Sequence, residues 1–517
     1  MTTANNPKVN ITKLPAEQEI STSPQRVLIV GQQTGSTYTS GSLVTEISNA
    51  NTEIVNIGRG SQLAEMLRAF KSINQETVVD VIPLDDDGSG VNATGEVAFS
   101  GTASGSGVFV ISIGSRDYHK YTITVESGDT ATEIGTKLVT AITADSDKIV
   151  TGSNTTGTVT LTAVNAGTCG NGIGIEVIGT VAGVTPSVTA MSSGATDPTI
   201  TNLFNVVGDQ RYQTVIFPSN LDTTIVATSD TSTTSFLDPR WNASNSILDG
   251  VCVTAKTDTL ANIKTFLNNQ NSQSLIVACQ ETVNDTLYKG SSIFELNEVI
   301  AAKIGAVRSL GLTNGADNSS VIVANNLDSI GGAHIASLPY MNRAVFLPII
   351  DIGKGWTASE IEEINDAGGF IVGNNINRTK TVLGQVYTTY KTDSSGNADQ
   401  TYQYLNSVDI ASTASEFLYN NLKSVFSQYR LTDGSVYSDR NIINLNGIKS
   451  KLTEYYVTLS GEDYLLYRDG SDNIKYFVDN LTLSIDMLTG SVSGSAKAPL
   501  VSQLRSLDLK LQAVFNI

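Results

Sequence analysis

Arg26-Val27-Leu28-Ile29-Val30-Gly31-Gln32-Gln33-Thr34-Gly35-Ser36-Thr37 is the stretch that decides the fold. Val27 to Val30 is an unbroken apolar run that stops at a glycine. A strand without polar alternation has no face to turn toward water, so it belongs inside a parallel sheet. The next periodic stretch is helical. Gly58-Arg59-Gly60-Ser61 opens it, and Leu63, Met66, Leu67 and Phe70 then fall at i, i+3, i+4 and i+7 on one face. Ser61 is placed to be the N-cap. Val78 to Leu84 returns as a strand. Strand, helix, strand in that order is an α/β unit.

The residues after the first strand could be mistaken for a phosphate loop. Such a loop needs four residues between its glycines and a Lys before the Ser or Thr. Only three residues lie between Gly31 and Gly35, and no Lys precedes Ser36 or Thr37. A plain strand-to-loop exit is the simpler reading. An α/β enzyme using this loop would reveal itself by a heat of nucleotide binding, and none is expected.

Outward from this unit, Asp85-Asp86-Asp87-Gly88-Ser89-Gly90 marks a boundary. The acidic run lacks the spacing of a calcium loop and reads as a solvated linker. From 91 to 195 the texture changes. Val97 to Phe99, Val108 to Ile113, Tyr121 to Val125, Val159 to Val164 and Ile173 to Ile178 are short strands among Gly, Ser and Asn. One helix interrupts them, capped near Asp129 or Thr130, with Ile134, Leu138 and Ile142 on one face. The α/β texture resumes over 196–370. Val215 to Phe217, Leu275 to Ala278 and Val345 to Ile350 read as strands, and Leu260 to Leu267 and Phe294 to Leu310 as helices. Thr357-x-x-Glu360 is a capping box, with Trp356 and Ile361 as its hydrophobic staple. Over 371–500, Thr381 to Thr392 reads as a strand. Thr413-x-x-Glu416 should cap a helix carrying Leu418, Leu422, Val425 and Tyr429. A second helix carries Leu445, Ile448, Leu452, Tyr455 and Leu459, and Leu481, Leu483, Ile485 and Met487 alternate as a strand.

Composition removes several classes of function. The 517 residues hold 32 Lys and Arg against 50 Asp and Glu, a net charge of −18. No basic run offsets this, so a nucleic-acid binder is not expected. Three scattered cysteines, Cys169, Cys252 and Cys279, form neither a disulfide framework nor a Cys-x-x-Cys metal site. Two distant histidines, His119 and His334, leave little for imidazole metal sites or triads, and each suits a surface or core-edge role. Acidic pairs such as Glu362-Glu363 and Glu462-Asp463 are unremarkable in so acidic a chain. The expectation is no catalytic residues, no cofactor and no metal. Met1 to Ile11 has no apolar core like that of an export signal, and the longest apolar stretches fall far short of the roughly 20 residues that span a bilayer. A soluble protein without membrane insertion is expected.

The two ends carry the remaining signal. In residues 1–25, Val9 and Ile11 alternate with polar neighbours and Leu14 follows, with no partner strand nearby. Leu507, Leu509, Leu511, Ala513, Phe515 and Ile517 alternate with polar residues to the final position. An apolar edge strand of this kind needs a partner. It pairs inside its own domain, or it is donated to another copy. Two donated ends would link each subunit to two neighbours and build rings or filaments.

Taken in order, these segments resemble the contractile tail sheath proteins of Mu-like tailed bacteriophages. The resemblance rests on Arg26 to Gly31, Gly60-Ser61-x-Leu63-Ala64-x-Met66-x-x-Ala69-Phe70 and Val81-Ile82-Pro83-Leu84. It continues through Ala166-Gly167-Thr168-x-Gly170-Asn171-x-Ile173 in the insert. In the last third it rests on Asn374 to Thr379, Tyr387-Thr388-Thr389-Tyr390, Tyr404-Leu405-Asn406 and Tyr429-Arg430-Leu431.

The resemblance implies an α/β (α+β) multidomain chain. A mixed-sheet core is built from N- and C-terminal regions, with a β-rich insert facing outward and extended arms at both ends. The implied division is an N-terminal linking arm at 1–25, a core segment at 26–90 and an outer insert at 91–195. A sheath domain follows at 196–370, then a tube-proximal domain at 371–500 and a linking strand at 501–517. Val9, Ile11 and Leu14 would belong to the first arm, and Leu507, Leu509, Leu511, Phe515 and Ile517 to the last strand. Lys423, Arg430, Lys449 and Lys451 are the implied candidates for contact with an inner tail tube. The implied partners are further copies in stacked hexameric rings, the tail tube protein, and baseplate and tail terminator proteins. The implied location is the virion, after assembly in the host cytoplasm. A surface adhesin or surface-layer-like protein is the alternative, favoured by the Gly/Ser/Thr-rich insert.

Overall fold

The computed structural model describes residues 25–47, 49–200, 202–221, 226, 235–241, 246–312, 340–427, 429–435, 441–461 and 470–498. Val9, Ile11 and Leu14, His334, and Leu507 to Ile517 lie outside the described residues. The chain starts as expected, with β1 (Arg26–Gln32), α1 (Ala50–Ile57), α2 (Gln62–Ile73) and β2 (Val78–Leu84). Val27 to Val30 is fully buried, and Ser61 caps α2 by accepting from the Ala64 amide.

The insert holds β3 (Asn92–Gly101), β4 (Gly107–Ile113), β5 (Ser115–Val125), α3 (Ala131–Ala144), β6 (Val150–Thr155), β7 (Thr158–Ala166), β8 (Ile175–Ile178) and β9 (Val184–Ser192). Thr130, not Asp129, caps α3, and Glu133 completes a capping box. Strands β6, β7, β3 and β9 form an antiparallel sheet in that order, backed by α3 through Ile134, Leu138 and Ile142.

Next come β10 (Thr214–Ile216), α4 (Asp238–Trp241), β11 (Val251–Asp258), α5 (Leu260–Asn268), β12 (Leu275–Asn284), β13 (Tyr288–Ser291) and α6 (Asn297–Gly311). The remainder is α7 (Ala358–Asp366), β14 (Val372–Asn374), β15 (Thr381–Leu383), α8 (Leu405–Phe426), β16 (Arg430–Leu431), β17 (Ile442–Ile443), α9 (Leu445–Gly461), α10 (Gly470–Asp479), β18 (Thr482–Asp486) and β19 (Ser491–Ser495).

Among the described residues, nine strands join in the order β2-β1-β10-β11-β12-β13-β8-β4-β5. The first five are parallel and the rest antiparallel. The insert thus shares the core's sheet, through β8 pairing with β13. Helix α6 is buried almost all round, the pattern of a helix sealed within a core. Val27 from the start of the chain and Val408 from its last third lie in one continuous apolar cluster.

Several expected elements differ. Helix α6 starts three residues after Phe294, because Phe294 takes a left-handed backbone and Leu296 is extended. The run Val345 to Ile350 is no regular strand; Thr381 holds it instead, through Val345 N to Thr381 O at 3.1 Å and Leu347 N to Thr381 Oγ1 at 2.9 Å. The strand from Thr381 ends at Leu383, and Thr388 and Thr389 turn inward to bond Gln403 and Leu275.

Candidate functional site

The loop after β1 sits where parallel strand order reverses, between β2 on one side of β1 and β10 on the other. Open α/β sheets bind ligands in the crevice at the carboxyl ends of such strands. Here the chain's own polar side chains fill that place. Gln32 Nε2 donates to Asp86 Oδ1 at 2.7 Å and to the Ala166 carbonyl at 2.7 Å. Gln62 Nε2 donates to Asn220 Oδ1 at 3.0 Å, and Asn220 Nδ2 donates to Asp197 Oδ1 at 2.9 Å. The Gln62 amide donates to Asn165 Oδ1 at 2.9 Å. The groups come from 26–90, 91–195 and 196–370, so the crevice is a fastening between core and insert.

That geometry corrects the linker reading of the acidic run. Asp86 is no solvated spacer: its carboxylate accepts from Gln32, from Asn165 Nδ2 at 2.8 Å and from the Ala166 amide at 2.7 Å. Asp85 accepts from Gln33 Nε2 at 2.7 Å. Only Asp87 behaves as a turn residue, held below the usual carboxylate range by the Ser89 hydroxyl and amide. Among the described residues, no three His, Cys, Asp or Glu side chains cluster to hold a metal. Cys252 and Cys279 are buried free thiols, pushed up by burial, and Cys169 is a half-buried one.

The C-terminal helices build a different kind of surface. Leu418 and Leu422 of α8, Ile448, Leu452, Tyr456 and Leu459 of α9, Phe477 of α10 and Leu483 of β18 line an open apolar groove of about 590 Å³. Tyr456 stacks on Phe477 at 4.2 Å between centroids, and Phe417 meets Tyr455 edge-on, so the groove floor is a packed core. The hairpin β18–β19 forms one rim, in the register Leu483 with Gly494 and Ile485 with Val492. It is a two-stranded sheet with no further strand on either edge among the described residues. A lone hairpin is marginal in water, and its free edges are templates for another strand. Leu488 at its tip is 99% exposed. Ala496 and Ala498 also line the groove.

The four charged candidates lie around this region. Lys423 and Arg430 are exposed, and Lys449 and Lys451 half-buried. Lys423 Nζ lies 3.2 Å from the Tyr419 hydroxyl, and Lys451 pairs with Glu454 at 2.7 Å. The Arg430 amide bonds the Asn441 carbonyl within the small β16–β17 pair.

The helix expected to begin at Thr413 begins eight residues earlier, at Leu405. Thr413 and Glu416 are buried within it, and Glu416 accepts from Arg211 Nη1 at 2.7 Å. Asp409, one turn before Thr413, is buried and accepts from Arg308 Nη2 at 2.5 Å and the Tyr340 hydroxyl at 2.6 Å. These ionic joints between α8 and the sheet escaped sequence reading, because their partners lie up to 205 residues away. His119 is likewise no surface residue: it is 2% exposed, between the carboxylates of Glu65 and Asp145.

No family model matches the chain. Two solved structures superpose on it weakly. A crystal structure of a sheath tail protein from Listeria innocua gives a TM-score of 0.43 at 13% identity, covering 93% of this chain and 94% of that one. A cryo-EM structure of the helical sheath of the anti-feeding prophage in its contracted state gives 0.42 at 9% identity, covering 99% of both. At such scores neither establishes a shared fold. The sequence relationship is firmer. The Mu-like prophage FluMu tail sheath protein of Haemophilus influenzae is 34% identical over 223 residues, which are 41% of this chain and 43% of that protein. Along less than half the length of each, this chain is a relative of a Mu-like prophage tail sheath protein.

Proposed function

We propose that the chain is the structural subunit of a phage contractile tail sheath. The observation that carries this reading is the hairpin β18–β19, set on an apolar groove and followed in sequence, from Leu507, by the amphipathic C-terminal segment. The sequence relative supports it. A hairpin with no further strand on either edge among the described residues can receive one, and Leu507, Leu509, Leu511, Phe515 and Ile517 alternate so as to share one apolar face. The N-terminal segment with Val9, Ile11 and Leu14 supplies the second donated strand.

On this reading copies stack as hexameric rings around a tail tube, joined by exchanged strands. Contraction moves the subunits as nearly rigid bodies from a metastable extended state, driving the tube through the host envelope with no nucleotide consumed. The segment 371–500 faces the tube, where Lys423, Arg430, Lys449 and Lys451 meet acidic groups, and 91–195 faces outward. Baseplate and terminator proteins bind the two ends of the sheath. The subunit assembles in the host cytoplasm and resides in the virion.

Deleting residues 499–517 tests this directly. The truncated chain should remain soluble and folded by circular dichroism, yet form no long cylinders in negative-stain images. Normal sheaths from the truncated chain would refute the proposal.

A further inference from the structure

The seam between insert and core contains a buried cluster that strand exchange does not use. His119 on β5 is 2% exposed. Its Nε2 lies 3.4 Å from Glu65 on α2, and its Nδ1 lies 3.6 Å from Asp145, just after α3. One imidazole thus has a carboxylate at each ring nitrogen, which suits the doubly protonated ring and leaves the neutral ring one nitrogen without a donor role. Four residues along β5, the Ser115 hydroxyl donates to the carboxylate of Glu295 at 3.0 Å, at the entrance to α6. The Glu65 and Glu295 contacts cross the seam from an insert strand to the core, whereas Asp145 belongs to the insert itself.

We propose that this seam is a proton-loaded latch: it closes on a protonated His119 held between Glu65 and Asp145, and loosens when that proton leaves. The electrostatic surroundings are mixed, and each packed element contributes. From α2 and the turn before it, Arg68 pairs with Glu65, and Arg68 and Arg59 both pair with Asp147 at 3.0 and 2.9 Å. From β5, Tyr121 donates to Asp145 at 2.9 Å, and Asp117 and Tyr118 stand beside the cluster. Lys148 Nζ caps the Asp145 carbonyl at 3.2 Å. Just before α6, Glu295 faces Lys303 of that helix at 4.0 Å, and Glu298 in its first turn feels both Glu295 and Glu65.

These surroundings favour retaining protons. Burial opposes charge on His119, but the hydrogen bond and charge of Glu65, then the charge of Asp145, outweigh it and raise the ring above its ordinary value. Burial pushes Glu295 up to about 7, against the opposing pull of Lys303. The signs agree. A raised folded-state pKa gives stability that is complete below the unfolded value and is lost as pH rises through the folded one. For Glu295 the loss runs from the ordinary carboxylate range to about 7. For His119 it continues above 6.5. The seam is therefore tightest in mild acid and loosens toward alkaline pH.

Hydrogen exchange on the full chain tests this, with rates corrected for intrinsic chemistry. Amides of β5 and α2 should exchange several-fold faster at pH 8.5 than at pH 6, while those of β11 and β12 keep their protection. His119→Gln should abolish the histidine part of that pH dependence. Should that variant fail to fold, the ring can be titrated directly by NMR of histidine-labelled protein. The chain has only one other histidine, and His334→Asn assigns the signals. A ring that titrates above 6.5 with pH-dependent exchange at the seam supports the latch. A ring that titrates below 6.5, or seam exchange flat with pH, overturns it.

Discussion

Asp409→Ala is the most informative single substitution for how the C-terminal helices are held. Asp409 is buried in α8, and Arg308 in α6 is 4% exposed. Arg308 spends Nη1 on the Gln213 carbonyl at 2.5 Å and the Thr214 hydroxyl at 2.6 Å, and Nη2 on Asp409. Tyr340 gives its hydroxyl to the other carboxylate oxygen. Alanine at 409 leaves a guanidinium charge without its counterion and a phenol without its acceptor, both out of water. Breaking a buried pair from one side costs about 3–5 kcal/mol, because the stranded charge keeps its full desolvation penalty. With an m-value of about 3 kcal/mol per molar urea, that moves the unfolding midpoint down by about 1 M or more. The assay is urea denaturation of unassembled subunits followed by circular dichroism. The double variant Arg308→Met with Asp409→Leu should recover most of the loss, because it removes both charges and keeps the volume. A midpoint unchanged by Asp409→Ala, or a double variant as weak as the single, would show that the pair contributes little and the reasoning fails.

Gly58→Ala tests the turn that launches α2. Gly58 has φ of +98°, and a Cβ there would lie 2.2 Å from Thr34 Oγ1 and 2.5 Å from the Gly35 amide, so at least about 2 kcal/mol of stability should be lost in a thermal melt. Assembly should depend on salt. At a net charge of −18, like-charged subunits repel, and light-scattering yields of cylinders should rise as ionic strength shortens the Debye length from about 10 Å at 0.1 M; assembly indifferent to salt would count against this.

What was legible in the sequence was local. Ser61, Thr130 and Thr357 cap helices through bonds made within three residues; Ser61 and Thr357 stand where the sequence places them, and Thr130 is one of the two residues it offered. The buried parallel strands β1, β10 and β12 announce themselves by apolar runs. Thr413-x-x-Glu416 has the same local pattern as Thr357-x-x-Glu360 and is no cap. The difference lies outside the motif: Asp409 and Glu416 find Arg308 and Arg211 across the fold, which lets α8 run on through polar residues that would otherwise end it. Strands β6 and β9 were missed because Gly, Ser and Thr on their outer face blur the alternation. The hairpin strand was half legible. Leu481 is buried and Leu483 and Ile485 half-buried, but Met487 is exposed at the turn.

The two recesses of the molecule argue in opposite directions, and the contrast bears on function. At the strand-order reversal, a position suited to a small ligand, Gln32, Gln62, Asp86, Asn165 and Asn220 satisfy one another across three segments. A ligand entering there would have to break bonds that fasten the insert to the core. Beside the hairpin the chemistry is reversed. The groove offers apolar side chains and free backbone edges, and leaves them unfilled among the described residues. Apolar surface of that extent is costly in water unless something covers it. A small polar metabolite gains little from a leucine-lined trough with an open sheet edge. A peptide strand gains both hydrophobic burial and a ladder of hydrogen bonds, and this chain ends in a sequence of that alternation. The groove is therefore matched to polypeptide, and on the proposed reading that polypeptide is the alternating segment of another copy.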